Sequence, residues 1–374
     1  MSTNLRELLE QMVQLDASDL YITVDSPPMY RVEGITSAWG EQKYTPEETE
    51  AMSLALMSPT QKTYFARRWE MNLALSYPNL GRFRVNIFRQ RGYFGMVMRQ
   101  IKLHIQTIDD LGLPQIFKNF SMTKRGLVLV AGRTGSGKST TLAALIDYRN
   151  CNSTGHIVSV EDPIEFVHNH KMSLVTQREI GIDTHGYASA LKHTLRQAPD
   201  VILIGEIRDI ETMEAAIDYA ETGHLCLGTL HANNANQAIE RVMNFFPAER
   251  HQQIYLQLSL NLKAVISQRL IPSVSGTRVA AVEILLDTPR VKDLIHKAQV
   301  DILKDAIAQG TMEGMQTFDQ SIFDLYMQGT IDYDNAIAYA DSANDLRLRI
   351  KMEEIGAKQE DREMSLKIKP DFRV

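Results

Sequence analysis

The feature that most constrains this chain is a phosphate-binding signature placed between an apolar stretch and a helical stretch. The run GRTGSGKS at residues 132–139 satisfies the pattern G-x-x-x-x-G-K-[ST], with the apolar residues 127–130 before it and TTLAALIDY after it. In such a loop glycines let backbone N–H groups surround phosphate oxygens, the lysine reaches the terminal phosphates and the serine coordinates magnesium. Strand, loop and helix in this order predict a P-loop domain with a parallel sheet.

The loop defines the expected ATP-binding residues. They are Gly132, Arg133, Thr134, Gly135, Ser136, Gly137, Lys138, Ser139 and Thr140. Three further candidate strands, residues 157–160, 201–204 and 225–229, each lead into polar or glycine-rich sequence. Open α/β sheets bind ligands at the carboxyl ends of their strands, so these strands are expected to present the rest of the site.

Acidic residues follow two of the strands. Glu206 comes after strand 201–204, in the position from which an acid holds Mg²⁺ directly or through water together with Ser139. Glu161, Asp162 and Glu165 follow strand 157–160, where one of them can orient the attacking water. The ordinary alternative is a helix or turn start that favours acids through its dipole.

Histidines flank the strand 225–229. His224 and His231 lack neighbouring cysteines and the spacing of a helical His pair, so a zinc site is a poor reading. A structural role remains open. A histidine just past the carboxyl end of a strand can also contact the γ-phosphate or a catalytic carboxylate.

Arginines of the N-terminal region also need an explanation. Arg82 and Arg84 share one face of an alternating stretch, and Arg99 ends the next strand. They are either solvated strand residues or candidates for an arginine that a neighbouring subunit inserts to stabilise transition-state charge.

Patterns along the chain predict two domains. Residues 1–100 are expected to form an α+β domain, with a helix from residue 5, a strand at 20–24, helices starting at the capping boxes of Thr45 and Ser58, and a hairpin over 81–99. Residues 101–115 are expected to connect the domains, and residues 116–345 to form the ATPase domain, which is expected to be mainly helical from about residue 246. Residues 346–374 form a charged tail that is expected to be disordered.

Composition restricts partners and location. A net charge of -6 and a pI near 6.0 provide no overall attraction to nucleic acid or anionic lipid. Two cysteines, Cys151 and Cys226, are too few for a disulfide framework or a four-cysteine zinc site. Neither a signal peptide nor an apolar run of about 20 residues is visible, so we expect a cytoplasmic protein that reaches the membrane through a partner.

Four segments carry a resemblance to a known family. GRTGSGKSTT, VEDPIEF, RQAPDVILIGEIRD and TGHLCLGTLHANNA resemble the Walker A, Asp box, Walker B and His box of the secretion-superfamily ATPases. With ASDLYITVDSPPMYRVEG, GRFRVNIFRQRG and GMQTFDQ the similarity spans nearly the whole chain, and it is closest to the pilus retraction ATPases of the PilT/PilU family. The resemblance implies a PAS-like domain followed by a RecA-like domain, with ATP bound between them and six subunits in a ring.

The same resemblance implies roles for individual residues. Glu165 matches the catalytic glutamate, Glu206 the Walker B acid, and His224 with His231 the His-box pair; Lys138 is the P-loop lysine. The arginines match a basic strand that reaches a neighbour's nucleotide. The implied function is an ATP-driven motor of pilus retraction and twitching motility that acts on an inner-membrane platform protein.

Differences within the family refine this expectation. Pilus extension and type II secretion ATPases carry a four-cysteine zinc module, which two cysteines cannot supply. Residues 289–294 read PRVKDL where PilT-like chains have AIRNL, and the tail is strongly charged. Both features resemble the accessory, PilU-type ATPases that work with PilT.

Two other functions remain compatible with the core motifs. RecA-like domains also occur in nucleic-acid translocases. The acidic pI and the lack of a recognisable DNA-binding module argue against that function. The second alternative function is a non-catalytic ring that binds ATP to regulate a partner motor. The presence of Lys138, Glu165 and Glu206, which hydrolysis would require, argues against this alternative.

Overall fold

The computed structural model describes residues 5–101, 104–353 and 355. The chain divides into two compact units. The first is formed by the chain up to Ile105 together with Thr154–Pro199, and the second by Gln106–Ser153 and the chain from Asp200 onward.

The helices and strands follow one another along the chain in a mixed α/β order. Up to residue 101 they are α1 (Leu5–Gln14), β1 (Asp19–Ile22), β2 (Met29–Val32), β3 (Ile35–Ala38), α2 (Pro46–Ala55), α3 (Pro59–Arg68), β4 (Glu70–Tyr77), β5 (Gly81–Gln90) and β6 (Tyr93–Ile101). The next are α4 (Ile116–Met122), β7 (Gly126–Ala131), α5 (Lys138–Asn152), β8 (Gly155–Glu161), β9 (Ser173–Glu179), α6 (Tyr187–Thr194) and β10 (Val201–Ile204). The last are α7 (Ile210–Glu221), β11 (Leu225–Leu230), α8 (Ala235–Met243), α9 (His251–Asn261), β12 (Leu262–Pro272), β13 (Arg278–Leu286), α10 (Pro289–His296), α11 (Leu303–Gln309), α12 (Phe318–Met327) and α13 (Tyr333–Tyr339).

The first unit contains an antiparallel six-stranded sheet in the order β3-β2-β1-β6-β5-β4. Alternation on β5 places Phe83, Val85 and Ile87 in a core that α1 also joins through Leu8 and Leu9. The predicted α+β character, the hairpin and the first helix are thereby confirmed.

The two predicted capping boxes start α2 and α3. The side chain of Thr45 accepts a hydrogen bond from the backbone N–H of Glu48, and that of Ser58 accepts one from Gln61. In turn, the side chains of Glu48 and Gln61 accept hydrogen bonds from the backbone N–H groups of Thr45 and Ser58. Each helix then begins with proline, whose missing N–H costs nothing in the first turn. Sequence patterns did not predict β2, β3 and β4, which extend the sheet on both sides of the predicted strands.

The first unit also contains the parallel pair β8 and β9. Gly155 lies opposite Ser173 and Glu161 opposite Glu179, so the two carboxylates end their strands side by side. The segment between the strands, residues 162–172, contains no helix and carries Glu165.

Strands of the second unit lie in the order β13-β12-β7-β11-β10. β7 is parallel to both β11 and β12, and every residue of β7 and β11 is buried. Their registers align Ala131 with Leu230 and with Ser267, so β7 and β11 reach their carboxyl ends together while β12 continues to Pro272. The P-loop leaves the sheet at this edge, as expected for a parallel α/β domain.

The four strands predicted around the motifs are confirmed. The mainly helical character predicted from residue 246 missed β12 and β13, because strands that are buried over most of their length do not show the alternation of a half-exposed strand. Helix α9 precedes these two strands, and the remaining helices of this region follow Leu286.

Disorder predicted for the charged tail is wrong for its first part. Residues 343–353 are helical, and Leu346 and Ile350, one turn apart, pack in a core with Phe318 and Ile322. The remainder of the tail, apart from residue 355, lies outside the described residues. Within the described part of the chain, no helix is long and apolar enough to cross a membrane.

Candidate active site

The P-loop connects β7 to α5. After the buried strand, residues 132–137 form a tight loop in which Gly135 and Gly137 have φ of 78° and 89°. Glycine adopts this left-handed region without the steric cost that a Cβ brings. Lys138 is the first residue of α5, so the helix N-terminus and the loop N–H groups present the donors that phosphate requires.

Gln268 of β12 closes the other side of the loop. A Cβ on Gly132 would lie 2.8 Å from the carbonyl oxygen of Gln268, and a Cβ on Gly137 would lie 2.7 Å from its Nε2. Thr141 Oγ1 also donates to Gln268 Oε1 at 2.7 Å. The two glycines are therefore required by the backbone and side chain of a neighbouring strand.

Lys138 has few polar partners apart from the loop. Its ammonium donates to the carbonyl oxygens of Gly132 at 2.8 Å and Arg133 at 3.0 Å. Burial lowers the pKa of Lys138, and the negative charge of Glu206 acts in the opposite direction. A buried ammonium held only by carbonyl dipoles gains strongly from a phosphate, which brings full negative charge.

The exposed side of the loop is formed by other predicted residues. Arg133, Thr134, Gly135 and Ser139 are solvent-exposed, whereas Ser136 is buried and its Oγ has no hydrogen-bond partner. Cavities of about 440 Å³ and about 500 Å³ adjoin the loop, both lined by Arg133 and Thr134. Their size is in the range of small-molecule sites.

Glu206 and His231 meet beside the loop. Glu206 follows β10 and His231 follows β11, and the imidazole Nε2 lies 3.1 Å from the carboxylate Oε1. The two turns are connected, because Ile207 N donates to Thr229 O at 2.8 Å. Of the alternatives for His231, contact with an acid at a strand end is the one found.

His224 lies at the opposite edge of the sheet. It precedes β11, and its carbonyl oxygen accepts from the N–H of Gly126, the first residue of β7. Its Nδ1 lies near Thr222 Oγ1 at 3.1 Å. Six strand residues at about 3.3 Å each separate it from His231. Within one chain, the two histidines therefore cannot share a metal, and His224 cannot reach the P-loop of its own subunit.

Magnesium suits the residues at the strand ends. Within the described residues no group of three or more His, Cys, Asp or Glu side chains could hold a metal ion. Mg²⁺ in nucleotide sites usually takes one or two protein ligands, with water and phosphate oxygens completing the shell. The exposed hydroxyl of Ser139 and the carboxylate of Glu206 fit that pattern.

In the first unit, Glu165 lies next to a buried carboxyl. Glu161 accepts hydrogen bonds from Ser159 Oγ at 2.6 Å and from Gln177 Nε2 at 3.2 Å. The nearby backbone amide of Glu165 also acts to lower the pKa of Glu161. Burial nevertheless raises the pKa of Glu161 to about 7. Glu165 itself is exposed and free to act on solvent.

The three predicted arginines are engaged with acids of their own unit. Arg99 donates from Nε to Asp19 Oδ1 at 2.8 Å and is 63% exposed. Arg82 lies 3.8 Å from Glu179, and the positive charges of Arg82 and Arg84 both lower the pKa of Glu179, which burial raises more strongly. Arg84 and Arg99 are opposite one another on β5 and β6.

Several residues around the site were not predicted from the sequence. Gln268 supports the P-loop, Asn233 Oδ1 accepts from Arg133 Nε at 2.9 Å, and Gln177 and Glu179 contact the segment that carries Glu165. None of them stands in a phosphate-binding or acidic signature. Only the strand registers bring them to the functional loops.

Comparisons with known proteins agree with this geometry. The family model of type II/IV secretion system proteins matches residues 70–334. The type IV pilus ATPase PilU of Pseudomonas aeruginosa is 54% identical over 92% of this chain and 91% of its own length, and the pilus retraction ATPase PilT of that organism is 43% identical over 89% and 97%. A crystal structure of the pilus retraction motor PilT with bound ADP superposes with a TM-score of 0.86 at 38% identity, covering 92% of this chain and 99% of that one.

Proposed function

This chain belongs to the type II/IV secretion system protein family as an ATPase of the PilT/PilU type, and we propose that it hydrolyses ATP to power type IV pilus retraction and twitching motility. The observation that carries the proposal is the arrangement around the P-loop. A buried Lys138 lies at the start of α5, and the Glu206–His231 pair ends two neighbouring strands.

The P-loop side chains supply binding and charge. The loop N–H groups and Lys138 bind the β- and γ-phosphates. Ser139 and Glu206 would hold Mg²⁺, which would supply positive charge to neutralise the phosphate oxygens. His231, whose Nε2 lies 3.1 Å from Oε1 of Glu206, orients this carboxylate. Phosphoryl transfer needs this positioning more than covalent help from the protein.

Hydrolysis needs a group that accepts a proton. We assign this role to Glu165, which takes a proton from water as the water oxygen bonds to the γ-phosphorus and the bond to the bridging oxygen breaks. A positioned base contributes about 100-fold or more to such a step. Arg82, Arg84 and Arg99 remain the candidates for an arginine acting on a neighbouring subunit's nucleotide, and Arg99 is the most exposed of the three.

The proposed assembly is based on that of the family. Six copies form a ring in the cytoplasm, held at the inner membrane by contact with the platform protein of the pilus machine. The identity of 54% to PilU against 43% to PilT favours the accessory role, in which the ring works together with a PilT-type ATPase. The sequence PRVKDL at residues 289–294 supports the same assignment.

Steady-state ATP turnover tests the proposal directly. The purified protein is assayed alone and with a PilT-type partner, beside Lys138→Ala and Glu165→Gln. Lys297→Ala and Glu313→Gln serve as matched controls, because both residues are exposed and lie outside the site. We expect a loss of about 100-fold in the two site variants and wild-type turnover in the controls.

Each other outcome points to a different function. Nucleotide binding without turnover, alone or with the partner, would support a regulatory ring. Turnover stimulated by DNA, with binding that weakens steeply as salt rises, would support a translocase. Turnover that survives Glu165→Gln would remove Glu165 from the reaction.

A further inference from the structure

The segment after β8 is held by side chains rather than by secondary structure. Residues 162–172 contain no helix, yet two main-chain groups just beyond Glu165 are hydrogen-bonded to one side chain of β9. The backbone amides of Ile164 and Glu165 lie near the carboxylates of Glu179 and Glu161 and act to lower the pKa of each. Both carboxylates belong to the last residues of neighbouring strands of the parallel pair.

Gln177 of β9 binds the same segment on its other side. Its Nε2 donates to Phe166 O at 2.8 Å, and its Oε1 accepts from His168 N at 2.8 Å. The same Nε2 lies 3.2 Å from Glu161 Oε1. One amide therefore uses both its donor and its acceptor on residues one and three positions beyond Glu165, and also contacts the carboxylate of Glu161.

Charge and burial make this arrangement rigid. Glu179 is 2% exposed and faces the half-buried Arg82, so a charged pair lies under the segment. Ile164 and His168 are buried, whereas Glu165 between them is exposed. The neighbours of Glu165 are thus buried or held by Gln177, whereas its own carboxylate extends into solvent.

We propose that Gln177 is a positioning residue for Glu165, fixing the backbone of residues 164–168 so that the carboxylate keeps the direction needed for hydrolysis. The inference rests on the proposed role of Glu165 as the base. A displacement of about 1 Å of a reacting group can cost about 100-fold in rate, so a hydrogen-bonding amide that does not touch the substrate can control turnover.

A double-mutant cycle tests the proposal on the full-length protein. The variants are Gln177→Leu, Glu165→Gln and the two combined, with Gln90→Leu, an exposed glutamine of β5, as the control. We expect Gln177→Leu to lower kcat about 10- to 100-fold while the KM for ATP changes less than about 3-fold. In the Glu165→Gln background the same change should alter kcat less than about 2-fold, because the group that it positions is already inactive.

An isosteric variant adds a readout that a merely structural role would not produce. In Gln177→Glu the carboxylate cannot donate to Phe166 O, but its protonated form can. We therefore expect kcat of this variant, relative to wild type, to recover as the pH falls, and that of Gln177→Leu to show no recovery. Gln177→Glu preserves the size of the side chain, so it still tests the proposal if the Gln177→Leu variant unfolds.

Three results would overturn the inference. Unchanged kcat in Gln177→Leu would do so, as would an equal loss in the presence and absence of Glu165. A Gln177→Glu variant without pH-dependent recovery would contradict the hydrogen-bond mechanism. If Glu165→Gln alone leaves turnover intact, the base assignment fails first and the positioning role fails with it.

Discussion

Replacing Gly137 by alanine should destabilise the second unit more than the same change at Gly135. Both glycines have positive φ, at which an L-residue costs about 1–2 kcal/mol, so this part of the cost is shared. The surroundings differ. A Cβ on Gly135 meets nothing within 4 Å, whereas on Gly137 it would lie 2.7 Å from Gln268 Nε2.

The size of the difference follows from how the clash at Gly137 can be relieved. The Gln268 amide can swing away, but this movement breaks its bond with Thr141, a buried hydrogen bond that contributes about 0.5–1.5 kcal/mol. Keeping the bond instead leaves an overpacked contact of about 1–3 kcal/mol. The cheaper route sets the result, so Gly137→Ala should cost about 1 kcal/mol more than Gly135→Ala.

Hydrogen exchange measured on peptides of α5, together with urea unfolding, reports the opening free energy of this region. Both alanine variants are compared in the wild-type and in the Gln268→Ala background. Truncating Gln268 removes the atom that clashes, so the excess cost of Gly137→Ala should vanish there. Equal costs in the wild-type background, or an excess that persists without the glutamine, would refute the assignment of Gln268 as the support of the P-loop.

Two further predictions concern stability elsewhere. Burial raises the pKa of the Glu283 carboxyl from 4.5 to about 7, so the folded state binds the carboxyl proton more tightly than the unfolded state. The free energy of unfolding should therefore fall as the pH rises from 4.5 to 7, by about 3 kcal/mol at 1.36 kcal/mol per pKa unit. Urea unfolding of Glu283→Gln, which keeps an acceptor for the N–H of Ala235, should lack this contribution; an unchanged pH dependence would contradict it. Thr45→Ala removes a capping box and should cost the first unit about 1 kcal/mol in urea unfolding, as should Ser58→Ala, whereas no change would mean that the caps are dispensable.

Local signals predicted the elements that depend on local chemistry. The P-loop was predictable because phosphate binding requires glycines, a lysine and a hydroxyl at fixed spacing between a strand and a helix. The capping boxes were predictable for the same reason, since donor and acceptor lie three residues apart. The Glu206–His231 contact was not fixed by spacing along the chain. It follows from the adjacency of β10 and β11, which no single strand encodes.

Tertiary partners escaped prediction for a physical reason. Arg82 and Arg84 read as a solvated strand face or as an arginine for a neighbour, because their acidic partner Glu179 belongs to a distant part of the chain. β12 gave no strand signal because burial on both faces removes alternation, and Gln268 was hidden with it. Contacts of this kind depend on strand order, which hydrophobic periodicity does not report.

In each of the two units, a glutamine side chain supports a functional loop. A functional loop must leave its strand, so it loses ladder hydrogen bonds where its geometry matters most. Gln268 supports the P-loop through Thr141, and Gln177 supports the segment of Glu165 through Phe166. A lysine or glutamate could supply only donors or only acceptors, and its charge would compete with Lys138 or repel Glu165. Gln177 uses both the donor and the acceptor of its neutral amide and Gln268 uses its acceptor, so each supports a functional loop without adding charge beside Glu165 or Lys138.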